Sequence, residues 1–122
     1  MTMDFFFPDD LAPRQPPEET RITSLGAEPL SDGRRVRVNV DITPFQKRPQ
    51  IDMTLFDSEG VEVAATSFIE PVTWRLEFTL HIRGKENVEG AYRLEARLYY
   101  PDGPSAEPIN YEFEIHADGL NG

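Results

Sequence analysis

An all-β fold, a two-layer antiparallel sandwich of about seven strands, is the class this sequence predicts. Three observations predict it. The first is a period of two that keeps returning. From Val72 to Ile82 every second residue is apolar (Val72, Trp74, Leu76, Phe78, Leu80, Ile82), and the residues between are Thr73, Arg75, Glu77, Thr79 and His81. Such alternation puts one face of a strand in a core and the other in water. The second is that the alternating segments are punctuated by turn sequences, among them Ser31-Asp32-Gly33, Asp57-Ser58-Glu59-Gly60 and Pro101-Asp102-Gly103-Pro104. The third is that no window sustains a helical period over two turns.

In chain order, a first strand is expected over 21–28, anchored weakly by Ile22 and Leu25. A second follows over 35–43, with Val36, Val38, Val40 and Ile42 inward. A third spans 50–56, with Ile51, Met53 and Leu55 inward. After the hairpin turn at 57–60 a fourth begins with Val61, Val63 and Ala65 inward. Phe68 and Ile69 break its alternation, as a bulge or a change of sheet would. The sheet that holds this strand is open at this stage. The long fifth strand over 72–82 follows Pro71. A polar connection, Gly84–Gly90, leads to a sixth over 91–100. The seventh spans 108–116, with Ile109, Tyr111, Phe113 and Ile115 on one face.

Composition bounds the rest. A chain of 122 residues fits one domain with a core of its own. It divides into an extended, Phe-, Pro- and acid-rich tail over 1–20, the sandwich over 21–116, and a frayed end over 117–122. Proline favours extended chain and removes a donor, so neither a helix nor a central strand is expected in the tail. No cysteine is present, which excludes disulfides, thiol nucleophiles and thiolate metal sites. Acidic residues outnumber basic ones 22 to 12, a net charge of −10. Phosphate recognition needs the opposite balance, so neither nucleic acid nor an anionic membrane is an expected partner. No apolar run is long enough to span a bilayer. The N-terminus lacks the basic start and apolar stretch of a secretory signal, and a cytoplasmic location is expected.

The stretch Glu89-Gly90-Ala91-Tyr92-Arg93-Leu94 resembles the start of the sixth strand of immunoglobulin-like domains. In those domains a Tyr stands two residues before the core position that antibodies fill with Cys, and its hydroxyl bonds back to the backbone. The resemblance implies that Tyr92 is that corner tyrosine, that Leu94 takes the Cys position, and that Val38 is its opposite number on the second strand. The chain departs from the antibody pattern in having Val88 four residues before the Tyr, where Asp is expected. Its core Trp, Trp74, also lies on the fifth strand rather than the third. The likeness is therefore to the wider immunoglobulin-like and fibronectin-like superfamily, which has no common activity.

No constellation of catalytic residues is legible. His81 and His116, the only histidines, fall on the polar parity of their strands and in no metal-ligand spacing. The carboxylates at Asp57, Glu59 and Asp102 are scattered over turns, far from the density a calcium loop needs. Outward charges on the third, sixth and seventh strands (Asp52; Arg93, Glu95, Arg97; Glu112, Glu114) read as cross-strand pairs on a solvated face. Tyr99 alone on that face is no sugar-binding platform. No catalytic, cofactor or metal site is expected, and a non-enzymatic module for a protein partner is the first reading. Phe5, Phe6 and Phe7 are the first candidate contact residues. They either pack on their own domain or form an arm for a partner, a homodimer through the tail being one form of it. Lys47 and Arg48, in the loop flanked by Pro44 and Pro49, are the second candidates. A proteinase-inhibitor-like protein presenting that loop is one alternative, and a small-ligand or carbohydrate-binding module is another.

Overall fold

The alternation at Arg35–Ile42 becomes a burial pattern directly. Val36, Val38 and Val40 are fully buried, while Arg35, Arg37 and Asn39 face water. A computed structural model describes residues 13–116, in which seven such segments form strands. They are β1 (Ile22–Pro29), β2 (Arg35–Ile42), β3 (Gln50–Asp57), β4 (Glu62–Ile69), β5 (Arg75–His81), β6 (Gly90–Tyr99) and β7 (Ile109–Ile115). One sheet has the order β1-β2-β5 and the other β4-β3-β6-β7, and every pairing is antiparallel. The chain is an immunoglobulin-like β-sandwich.

The core lies between the sheets. Val36, Val38 and Val40 come from one side, and Ile51, Met53, Leu55, Leu94, Ala96 and Leu98 from the other. Burying each of the larger side chains contributes about 1.5–3 kcal/mol. Strands β1 and β7 close one seam of the sandwich, and β4 and β5 the other. At the second seam the rings of Phe68 and Phe78 meet at 4.8 Å.

The strand left open by the sequence, β4, pairs with β3 and not with the three-stranded sheet. This differs from the constant-type immunoglobulin arrangement, in which the fourth strand joins the sheet of the first and second. The hairpin turn explains it. Gly60 has φ +80°, which glycine adopts without Cβ strain. Its N–H donates to the Asp57 carbonyl at 2.9 Å, folding β4 straight back on β3.

Four inward assignments are corrected. The ladder between β3 and β4 slips between Leu55 and Phe56, so Val63 is an extra residue. Val63 is buried, but the parity then flips. Ala64, Thr66 and Phe68 turn inward, whereas Val61 and Ala65 are exposed. Val72 is 78% exposed. The chain reverses through Glu70, at φ +53°, and Pro71, so β5 begins only at Arg75. Tyr111 keeps the inward parity opposite Leu94 but is 37% exposed, because β7 is an edge strand and its face overhangs the sandwich rim.

Candidate functional site

The connection between β2 and β3 carries Pro44, Phe45, Gln46, Lys47, Arg48 and Pro49. Phe45 and Pro49 are buried, and the residues between them are exposed. The segment before β1 is tied to this loop. The Gln15 N–H donates to Pro44 O at 2.8 Å and Gln46 N–H to Gln15 O at 2.9 Å, a one-residue parallel bridge between Gln15 and Phe45. Gln46 Nε2 adds a bond to Arg14 O at 3.1 Å. Pro17–Glu19 then form a single 3-10 turn. Thr20, fully buried, donates from Oγ1 to Pro16 O at 2.9 Å.

Tyr100 locks the two segments together. Its hydroxyl donates to Lys47 O at 2.7 Å and lies 3.2 Å from Thr20 Oγ1. Burial pushes that hydroxyl's pKa above the ordinary tyrosine value. The Lys47 ammonium reaches back over the Tyr100 ring, 6.0 Å from its centroid.

Trp74 stands beside this loop. It lies in the bend just before β5 rather than within the strand, although Ile42 N–H donates to its carbonyl at 2.8 Å and extends the ladder by one residue. Its half-buried indole meets Phe45 edge-on at 5.6 Å. The Arg14 guanidinium covers the indole at 5.2 Å, a cation–π contact. Arg14, Phe45, Gln46, Arg48, Val72 and Trp74 enclose an open pocket of about 360 Å³. In a chain of net charge −10 this pocket is lined by two guanidinium groups and no carboxylate.

At the opposite end of the sandwich, Tyr92 opens β6 and is buried. Its hydroxyl donates to Val88 O at 2.6 Å, across the corner into β6. Burial raises its pKa, and its ring stacks on Phe113 at 5.7 Å. Leu94 and Val38 are both fully buried, in facing sheets.

Asp57 borders a pocket of about 420 Å³ there. Its oxygens accept from Val61 N–H and Glu59 N–H, each at 2.9 Å, and from Lys85 Nζ at 3.0 Å. The Val61 N–H, then Lys85, hold its carboxyl below the ordinary aspartate range. A carboxylate so fully used is a structural pin rather than a proton carrier. His81 is exposed on β5, and His116 is exposed just past the end of β7. Among the described residues no group of three or more His, Asp or Glu is arranged to hold a metal ion. Among the same residues no helix is long and apolar enough to cross a membrane.

The outward charges pair differently from the expectation. Arg93 bonds Asn110 Oδ1 at 2.7 Å, lies 3.7 Å from Glu95 and covers the Phe56 ring at 4.5 Å. Asp52 accepts from Ser67 Oγ at 2.7 Å. Of the candidate contact residues, the structure brings Arg48 together with Trp74, while Lys47 turns toward Tyr100. Phe5, Phe6 and Phe7 lie outside the described residues. Sequence reasoning passed over Arg14, Phe45 and Val72. They meet through loops, where no periodicity marks a partner, and Arg14 sits in what read as tail.

Solved structures share this fold. A family 76 glycoside hydrolase from a bovine Bacteroides thetaiotaomicron strain superposes with a TM-score of 0.60 at 16% identity, over 78% of this chain and 20% of its own. The Bifidobacterium dentium beta-glucuronidase complexed with coumarin-3-O-glucuronide gives 0.56 at 15% identity, over 81% of this chain and 19% of its own. The Ruminococcus gnavus beta-glucuronidase gives 0.50 at 16% identity, over 80% and 16%. The chain thus spans about a fifth or less of the length of these enzymes. No family model matches the chain, and the search of curated proteins finds no match.

Proposed function

We propose that the chain is a non-enzymatic binding module that takes an acidic protein segment at the β2–β3 end. One observation carries the reading: the pocket of Arg14, Arg48, Phe45, Val72 and Trp74, with Lys47 the residue before Arg48 in the same exposed loop. Exposed aliphatic surface next to an aromatic ring and guanidinium groups is the composition of protein contact sites. The inhibitor alternative is weaker, because a substrate-like loop must offer its scissile carbonyl to an oxyanion hole. Here the Lys47 carbonyl is already engaged by Tyr100.

A second reading is favoured by the likeness to glycoside hydrolase and glucuronidase chains. On that reading the sandwich is an accessory domain of a carbohydrate-acting protein, and the two guanidinium groups take an acidic sugar. Against it, Arg14 already covers one face of Trp74 and Phe45 packs on the same ring, which restricts the stacking surface left for a sugar.

Trp74 is the only tryptophan, so its fluorescence reports on this end alone. The full chain is titrated with a glutamate-rich peptide and, separately, with glucuronate. The expected result is a saturable response to the peptide that weakens with salt and is lost in the Lys47→Glu/Arg48→Glu variant. A response to glucuronate alone supports the second reading. No response to either removes this end as a binding surface.

A further inference from the structure

The two sheets expose four edge strands, β1 and β5 in one and β4 and β7 in the other. An open edge is a template for pairing with another chain, and proteins protect edges with charge, proline or bulges. Three of the four are protected in that way. β1 has Glu28, Pro29 and a register irregularity between Ile22 and Ser24. β5 turns Arg75, Glu77 and His81 outward, and β7 turns Glu112 and Glu114 outward.

β4 carries a charge, Glu62, and a register slip only at its first two residues, where Arg83 N–H also donates to Val63 O at 3.1 Å; from Ala64 on, among the described residues, it has no such protection. From Val63 to Ile69 it reads Val-Ala-Ala-Thr-Ser-Phe-Ile, without charge, proline or glycine. Its free backbone groups can be assigned. Glu70 N–H donates to Pro49 O at 3.1 Å, which makes Pro49–Glu70 a bonded pair. Antiparallel alternation then gives the bonded pairs Ile51–Phe68, Met53–Thr66 and Leu55–Ala64. The N–H and C=O groups of Ala65, Ser67 and Ile69 therefore point along the open edge. Ala65 and Ser67 are small and exposed, and Ile69 is 71% exposed.

We propose that this edge is the interface of a homodimer, in which β4 pairs antiparallel with β4 of a second copy about a two-fold axis through Ser67. Two like sheets then join into one of eight strands. Ser67 faces Ser67 of the second copy, and Ala65 faces its Ile69. All three residues with free backbone groups pair in that register, because they share one parity. Charge selects this edge for self-association. Two copies of net charge −10 repel, and they repel least when they meet through a surface that carries no like charges. In this register Glu70 faces Ala64 of the other copy, and Glu62 lies beyond the paired segment because the other copy's chain turns away at Glu70 and Pro71. A two-fold pairing of β7 about Phe113 would instead oppose Glu112 with Glu114 of the second copy, and one about Glu112 would oppose that residue with itself, either of which is destabilising. The arrangement is isologous and closed, the commonest form of oligomer, and it sets the exposed Ile69 of each copy against Ala65 of the other.

The test is sedimentation equilibrium of the full chain and three variants. Ser67→Lys places two ammonium groups at the axis, yet within each copy it leaves Asp52 a cationic neighbour in place of the Ser67 hydroxyl. Ala65→Pro removes an N–H that the β3–β4 ladder does not use. Phe5→Ser/Phe6→Ser/Phe7→Ser alters no residue of β4 and tests the tail instead. The expected result is a wild-type dimer, retained by the Phe variant and weakened about tenfold or more by each β4 variant, with unfolding of the β4 variants by urea still cooperative. A wild-type chain that stays monomeric up to about 100 µM, where a dimer of micromolar Kd is nearly saturated, overturns the proposal. So does a dimer that the β4 variants leave intact, or one that only the Phe variant dissociates.

Discussion

Replacing Tyr92 with Phe removes one oxygen and keeps the ring. The oxygen donates to Val88 O at 2.6 Å, and both residues are buried. The ring would still stack on Phe113, so no apolar volume is lost and no cavity opens. The loss has two parts: a hydrogen bond, worth about 0.5–1.5 kcal/mol net, and a buried carbonyl left without a donor, which costs about 1–3 kcal/mol. These overlap, and a destabilisation of about 2 kcal/mol is expected. For a domain of this size that lowers Tm by about 6–10 °C. Urea unfolding gives the free energy, and the m-value should not change because the surface exposed on unfolding is the same. Tyr111→Phe is the control, an exposed hydroxyl whose loss should stay within about 0.5 kcal/mol. A Tyr92→Phe loss as small as the control's would refute the reasoning. So would a fall in the m-value, which would mean that the whole corner had loosened.

Thr20→Val replaces a fully buried hydroxyl that donates to Pro16 O. It should cost about 1–2 kcal/mol in urea unfolding, and a neutral result would mean that residues 13–20 are not held by this bond. Gly26 lies within β1 with nothing within 4 Å of an added Cβ. Gly26→Ala should stabilise by up to about 1 kcal/mol. Gly90, at φ +138° and with equally open space, should lose about 1–3 kcal/mol on the same substitution from backbone strain alone. Thermal melts that gave both glycines one sign would contradict this.

Asp57 has a folded-state pKa lowered by the Val61 N–H and by Lys85. Its contribution to stability is therefore present above the unfolded value of about 4 and lost as pH falls through the lower folded value. The stability difference between wild type and Asp57→Asn should be largest near neutrality and shrink as pH drops below about 4. A difference that did not change with pH would show that the charge is irrelevant.

The existence of all seven strands follows from period-two alternation, which each segment carries locally. The faces of β2, β3 and β6 follow too, because central strands are covered along their whole length. At the edges the same signal misleads. One extra residue at Val63 reverses the faces of β4, and Tyr111 keeps an inward parity with too little above it to cover it. The sheet that β4 joins is set by the tight turn at Asp57–Gly60 that folds it back on β3, and no residue of β4 itself expresses that choice. The meeting of Arg14, Phe45, Arg48 and Trp74 has the same origin. Four residues spread over 61 positions come together because β2 and β5 pair, and because Gln15 bridges to Phe45. Local sequence sets which residues face inward on a strand, since that is a property of the pleat. Which strands are neighbours, and which loops share an end, is decided by the packing of two sheets, since only the closed sandwich brings distant segments into contact.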